Sequence, residues 1–477
     1  MTLPAENMPT EGIMRNYQWP GPFTPYKHQI ETSEFIVKNR RGFVLNDMGV
    51  GKSASALWSV DQLMTQGAVS RTLIVAPLST INRVWRDEAF RLLMHRNTVV
   101  LHGSADRRRK LYQGDHWDIG IINFDGIGVL HKDILEDVKS GRINMIVVDE
   151  ASAYRNTQTE RFKRFHAIVR HCPRLILMTG TPCPEAPTDA FGLAKLIDSP
   201  LVPKFFGAWR RQTMYQVSQF QWKPKPDGFA HAFSILQPAV RFRKEDCIDL
   251  PPLTFEEWDV QLSREQIRAY KDMTKRMAVE FAEVGDGLSA VNAADKINKL
   301  RQIACGVVRD TETGEYLLLE HKQRTDATLA AIEQAAAKVI VVVPFKGIIR
   351  HLSNEISKHY STAVINGDVS PKARDEIVTR FRETTDPHVL LVHPKVMAHG
   401  LTLVEADVMV FYAPIYSNEE TRQIIERIRR PGQKRSMTVI RLGATDLEWG
   451  IYRAAEEKAK GENMLLDMYK AAMKESV

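Results

Sequence analysis

Short apolar runs rich in β-branched residues alternate along the chain with longer stretches whose apolar residues recur at helical spacing. In the first half these runs are RGFVL, RTLIVAPLS, WDIGIINFD, INMIVVDEAS and RLILMTGTP; in the second they are KVIVVVPFKG, STAVING, HVLLVHP, DVMVFYAP and SMTVIRLG. Runs of this length read as strands, and intervening stretches such as SASALWSVDQLM read as helices. Strands alternating with helices predict mostly parallel sheets covered on both faces. Between the two series the rhythm changes. PKFFGAWRRQTMYQVSQFQWKPKPDG mixes aromatic residues, bases and prolines, and DLPPLTFEEWDVQLSREQIRAY reads as a connecting passage that ends in a helix. The tail, EWGIYRAAEEKAKGENMLLDMYKAAMKE, is helical in pattern. The expectation is an α/β protein of two tandem lobes, residues 1–245 and 246–477.

Composition narrows the class without naming it. At 477 residues the chain can hold two or three domains with real cores. Its 44% hydrophobic and 26% charged residues are those of an ordinary soluble globular protein. Lys and Arg outnumber Asp and Glu by 65 to 58, a net +7 that modestly favours a polyanionic partner. Four cysteines without a C-x-x-C pair read as reduced structural thiols, not a zinc site. The first residues lack the basic and apolar regions of a signal peptide. Apolar runs such as VIVVVPF are too short to span a bilayer. A cytoplasmic, nucleoid-facing protein with no membrane partner is expected.

LNDMGVGKSAS, Leu45–Ser55, follows a strand and opens a helix, as a phosphate-binding loop of pattern G-x-x-x-x-G-K-[ST] should. Such a loop turns backbone N–H groups onto a triphosphate, with a lysine on the phosphate oxygens and a hydroxyl on Mg²⁺. Gly49 and Gly51 allow close approach, Lys52 supplies the charge and Ser53 the hydroxyl. Asn46 stands where the first glycine is usual, and asparagine tolerates left-handed backbone better than most residues. Asp149 and Glu150 end a later apolar run. There Asp149 can hold Mg²⁺ and Glu150 can orient or deprotonate an attacking water. LMTGTP ends another run in Thr179, Gly180, Thr181 and Pro182, small residues able to bridge the acidic site by hydrogen bonds. Far downstream, Gln423, Arg427 and Arg430 are spaced to share one helical face before RPGQ ends the helix. Arginine matches a transferring phosphoryl group because its planar fork stays protonated.

In their order, PYKHQ, NDMGVGKS, LIVAPLST, VVDEASAYRN, LMTGTP, VVVPFKG, AHGLTL and QIIERIRRPGQ resemble the motif series of superfamily-two helicase-like ATPases. RFRKEDCIDLPPL and LRQIACG bring the likeness closer to the Swi/Snf-type double-stranded DNA translocases, over roughly residues 23–455. That family's loop usually opens with an acidic residue, so Asn46 is a small departure. The resemblance implies two tandem RecA-like lobes with ATP in the cleft between them. It implies that Gln29 reads the adenine edge and that Met48, Gly49, Val50, Gly51, Lys52, Ser53 and Ala54 line the nucleotide. Ser53 and Asp149 then hold Mg²⁺, Glu150 activates water, and Arg427 and Arg430 act as arginine fingers beside Gln423. Thr80, Asn123, Lys346 and Thr402 fall in motifs that touch the nucleic-acid backbone. Two departures stand out: Ser152 replaces a more usual histidine after the acidic pair, and KVMAHGLTL lacks paired glycines before Gly400, with an ending similar to the annealing and fork-remodelling branch.

The expected activity is an ATP-dependent motor on duplex or branched DNA, acting as a monomer. Its contacts should go to phosphates and be strongly salt-sensitive. DRRRK at 106–110 and AWRRQ at 208–212 are either basic tracks or solvated faces, and Phe220 and Trp222 either stack a base or pack a loop. A strand-separating or branch-migrating helicase on single-stranded DNA or RNA is the alternative, although no obvious pin stands out. A nucleotide-gated binding module has no need of Glu150 and both arginines. No further Asp, Glu and Lys cluster suggests a nuclease, and the chain leaves no room for chromatin-binding additions.

Overall fold

The computed structural model describes residues 13–114, 116–218, 221–284, 290–309, 314–397 and 402–458. Phe220, Gly400 and most of the tail read as helical lie outside them. The chain forms two compact units, one reaching Asp249 and the other running from Leu250 to Glu457.

The first unit is built on strands β1 (Arg41–Val44), β2 (Thr72–Ala76), β3 (Thr98–Val100), β4 (Ile119–Asn123), β5 (Met145–Asp149) and β6 (Arg174–Met178), with a small hairpin of β7 (Met214–Gln216) and β8 (Trp222–Pro224), and β9 (Ala239–Val240). Seven of these make a parallel sheet in the order β3-β4-β2-β5-β6-β1-β9. Adjacent residues of β2 feed opposite faces. Leu73 and Val75 join one core cluster, and Ile74 and Ala76 join the other. Both faces are therefore dry, which is why the central strands read as unbroken apolar runs. Each fully buried Leu or Ile stabilises by roughly 1.5–3 kcal/mol.

The second unit repeats the plan. Its strands are β10 (Leu253–Asp259), β11 (Val307–Arg309), β12 (Tyr316–Leu318), β13 (Lys338–Val342), β14 (Thr362–Ile365), β15 (Val389–Val392), β16 (Ala406–Phe411) and β17 (Met437–Gly443). Six form a parallel sheet in the order β10-β17-β16-β13-β15-β14. Val339 and Val341 face one cluster, Ile340 and Val342 the other. Two helix-covered parallel sheets in tandem give the expected RecA-like fold class. One reading is corrected: the passage taken as connecting contains β10, which pairs with β17 over its whole length. As an edge strand it carries Glu256 and Glu257 and is only half-buried, so it lacks the continuous apolar signature. Residues 446–458 are helical, as the start of the tail suggested. Among the described residues no helix is long and apolar enough to cross a membrane.

Candidate nucleotide site

In the first unit the phosphate-loop motif follows β1, the acidic pair closes β5, and Thr179–Pro182 follow β6, which lies between them. All three therefore reach the carboxyl end of one parallel sheet, where α/β proteins place their ligands.

The loop is held from three sides. Gly49 and Gly51 adopt φ of +82° and +81°, left-handed values that glycine reaches without strain. Gly51 precedes helix α2 (Lys52–Thr65). A Cβ on Gly51 would lie 1.9 Å from the Gln29 Nε2, so this glycine also makes room for helix α1 (Lys27–Lys38). His28 Nε2 hydrogen-bonds the Val50 carbonyl at 3.0 Å. Asn46, almost wholly buried, donates from Nδ2 to Thr32 Oγ1 at 2.8 Å, while its Oδ1 accepts from the Phe242 N–H at 3.0 Å. Its side chain thus sews α1 and the segment after β9 to the loop, a task glycine cannot perform. Asp47 accepts from Arg241 Nη2 at 2.7 Å and from the Lys244 N–H at 2.9 Å.

Lys52 Nζ donates to the carbonyl oxygens of Asn46 and Asp47, at 2.9 and 3.0 Å. Burial lowers the pKa of its ammonium, against the pull of Glu150, Asp149 and Asp47. Asp149 is buried, and its Oδ2 accepts from Trp85 Nε1 at 2.9 Å. Burial raises its carboxyl pKa, while Trp85 and Lys52 draw it back down. Glu150 has φ +53°, left-handed for a non-glycine residue. Such a conformation costs of order 1–3 kcal/mol and clusters at functional sites. On helix α3 (Asp87–Leu92), burial with the nearby Asp149 charge pushes the Glu88 carboxyl up to about 7, with Arg91 and Ser53 opposing.

Sequence reading missed Trp85, Glu88 and Arg241. Trp85 and Glu88 share the segment that follows LIVAPLST, and Arg241 opens the quoted stretch RFRKEDCIDLPPL, but only the fold brings them to the loop. Met48, Val50 and Ala54 are buried, so what the loop offers at these positions is backbone. Ser53, Asp149 and Glu88 present hard oxygen donors of the kind Mg²⁺ takes. Among the described residues no group of three or more His, Cys, Asp and Glu side chains forms a metal cage. A cation at this place fits a site completed by phosphate oxygens. Consecutive loop N–H groups, one ammonium, one hydroxyl and two carboxylates can together bind a polyphosphate and direct a water at it.

Other expected residues sit as follows. Thr80 Oγ1 donates to the Pro77 carbonyl at 3.0 Å. Asn123 is buried, and its Oδ1 accepts from Arg108 Nη1 at 2.9 Å. Arg108 also donates to the Leu101 and Gly103 carbonyls, so the middle of DRRRK is a structural pin, while Arg107, Arg109 and Lys110 are exposed. In AWRRQ, Trp209 is core and Arg210 stacks 4.3 Å over the Trp222 ring, which gives Trp222 a packing role.

In the second unit the helix carrying Gln423 ends at Ile425, with Arg427 and Arg430 in the turns beyond it. The single α-helical face expected for the three is thus corrected to a helix end followed by turns. Pro431 disfavours helix in the residue before it, and Gly432 has φ +100°. Both arginines still bond back four residues: Arg427 Nε donates to the Gln423 carbonyl at 2.9 Å and Arg430 Nε to that of Glu426 at 3.0 Å. Arg430 Nη1 also reaches Thr402 Oγ1 at 2.8 Å. Burial pulls the Arg430 guanidinium down to about 10. Lys346 Nζ pairs with Asp368 Oδ1 at 2.8 Å.

Fold and site together define a helicase-like ATPase of the two-lobed kind. The chain matches the SNF2-related domain over residues 28–307, more than half its length, and the helicase conserved C-terminal domain over residues 323–432. It belongs to the SNF2-related family and is a nucleic-acid-dependent ATPase. It is 25% identical to protein p41 of Acyrthosiphon pisum secondary endosymbiont phage 1, over 95% of this chain and 99% of p41. With an uncharacterized ATP-dependent helicase of Mycoplasma genitalium it shares 24% identity over 90% of its own length, spanning 40% of that protein. The Sulfolobus solfataricus SWI2/SNF2 ATPase core in complex with dsDNA is similar at 20% identity, with a TM-score of 0.45 and 94% of each chain covered.

Proposed function

We propose that the protein couples ATP hydrolysis to movement along duplex or branched DNA. The observation that carries this reading is the loop of the first unit, where Lys52, among the described residues, hydrogen-bonds two backbone carbonyls, with Asp149 and Glu150 close enough to act on its charge. A triphosphate entering the loop would replace those carbonyls on the ammonium with stronger, charged acceptors. Ser53 and Asp149 would hold the Mg²⁺ that neutralises charge on the β- and γ-oxygens. Glu150 would orient the attacking water and take its proton. In this reading Arg427 and Arg430 meet the charge that develops on the transferring phosphoryl group, and the retained Glu150 makes the protein a turnover enzyme, not a nucleotide-gated switch.

DNA as the track is supported by family membership and by the net charge of +7. The test is steady-state ATPase activity with no nucleic acid, single-stranded DNA, blunt duplex, forked DNA and duplex RNA, each at two salt concentrations. Stimulation by duplex or forked DNA that fades with salt is expected. Stimulation by single strands or RNA alone would overturn the duplex-motor reading in favour of a conventional helicase.

A further inference from the structure

The second unit carries a hairpin that ATP hydrolysis leaves unused. β11 and β12 pair antiparallel, Val307 with Leu318 and Arg309 with Tyr316. Val307 is buried in the core of the unit and anchors the hairpin, whereas Tyr316 and Leu317 remain 46% and 63% exposed. The backbone makes room for the ring. A Cβ on Gly347 would lie 2.4 Å from Tyr316 Cδ1 and 2.7 Å from Val307 Cγ2, so only glycine lets the hairpin settle on the first turn of the helix Lys346–Ile356.

Tyr316, Lys346, Arg350, His351, Asn366 and Asp368 line a cleft of about 510 Å³ there, within the size range of small-ligand sites. Lys346 and Arg350 are exposed and one helical turn apart, hence on the same face. The pairing of Lys346 with Asp368 joins two exposed groups, the kind of ion pair water and a competing anion readily displace. An aromatic ring beside two cations and a primary amide is the chemistry that takes one nucleotide, the base on the ring and the phosphates on the cations. Within a duplex both faces of a base are covered by its neighbours. The ring can therefore accept only a base that is unpaired or at a strand end.

We propose that Tyr316 is a stacking platform for an unpaired base of the DNA track, with Lys346 and Arg350 on the flanking phosphates. This rests on the DNA-motor reading and adds to it a preference for forks and gaps over uninterrupted duplex.

The test uses the full chain and fluorescently labelled blunt duplex, forked DNA with unpaired arms, and single strands, with thermal unfolding as a folding control. Tyr316→Leu should weaken binding to forked and single-stranded DNA about 5- to 100-fold, the range for loss of one stacked base, and blunt-duplex affinity should stay within about twofold. Tyr316→Phe should retain the preference. Abasic positions in the unpaired arm should cost the unaltered protein a similar factor, a readout that no misfolding can imitate. Unchanged fork binding in Tyr316→Leu, an equal loss on blunt duplex, or indifference to abasic positions would each overturn the platform. Blunt-duplex stimulation of ATP hydrolysis in the unaltered protein is the separate check: its presence with an inert Tyr316 removes the platform alone, and absence of stimulation by every DNA removes the motor reading with it.

Discussion

Lys52 in the first unit and Arg324 in the second are both cations drawn out of water, and their surroundings answer them differently. Arg324 is 2% exposed and donates from Nη2 to Glu448 Oε2 at 2.8 Å, with Glu448 itself wholly buried. Burial pulls its pKa down, but Glu448 more than offsets this and holds it above the ordinary arginine value. Among the described residues Lys52 hydrogen-bonds carbonyl oxygens, and burial lowers its pKa against the pull of the nearby Glu150, Asp149 and Asp47. A charge that belongs to the fold comes with a matched counter-charge. In the proposed reading, a charge that awaits a substrate is held by neutral acceptors that a polyanion can displace. Arg430, between the Glu426 carbonyl and the Thr402 hydroxyl and pulled down to about 10 by burial, falls on the side of Lys52.

The largest expected effect tests that placement of Arg430. Arg430→Ala should lower DNA-stimulated ATP turnover by about 10³-fold or more, the range for removal of an arginine finger, with nucleotide affinity nearly unchanged. Single-turnover hydrolysis beside equilibrium binding of a fluorescent ATP analogue checks it. A fall in melting temperature with turnover preserved would move Arg430 to the structural side. Arg324→Ala should do the reverse. It strands the buried Glu448 carboxylate and should cost ~3–5 kcal/mol of stability in denaturant titration, with little change in nucleotide affinity while the protein stays folded. A cost below about 1 kcal/mol, as for an exposed pair, would break the contrast.

Lys52→Ala sharpens it from the other end. Loss of the ammonium should weaken ATP binding by at least about 100-fold, about 2.7 kcal/mol. Melting temperature without nucleotide should change little, because the ammonium it removes is disfavoured by burial yet favoured by the nearby Glu150, Asp149 and Asp47 charges. Unchanged nucleotide affinity would remove Lys52 from the site altogether.

The central strands and the motifs at their ends were legible in the sequence because burial on both faces leaves a one-dimensional trace. RTLIVA and MIVVD can only be interior. Three of the four edge strands leave no such trace, β14 within STAVING being the exception. β3 and β9 are two or three residues long, and β10 interrupts its apolar positions with Glu256, Glu257 and Asp259, so it reads as a linker. The strand–loop–helix setting of the proposed phosphate loop was legible because its residues are adjacent in sequence. Trp85 bonds Asp149 64 positions away, and Glu88 feels the Asp149 charge, proximities set by how residues 81–92 pack. The Tyr316 hairpin leaves no sequence trace for the same reason: its approach to Gly347 is set by the fold.

The smallest effect concerns Asn46, the residue that most weakens the phosphate-loop pattern. Were it a degraded glycine, Asn46→Gly would improve the loop. Its buried amide instead joins Thr32 on α1 to the Phe242 N–H, and the Arg241–Asp47 pair is anchored in the same segment. Glycine would remove both hydrogen bonds and leave the part-buried Phe242 N–H without this acceptor, at about 1 kcal/mol or more. It would also add backbone freedom to a loop that must stay ordered, a further ~0.5–1 kcal/mol. Asn46→Gly should therefore lower the denaturation midpoint measurably and weaken ATP binding only a few-fold, since Lys52, Ser53 and the loop N–H groups remain. Stability equal to or above that of the unaltered protein would show that the glycine of the common pattern suits this loop as well, and that the stitch from α1 to the segment after β9 contributes nothing.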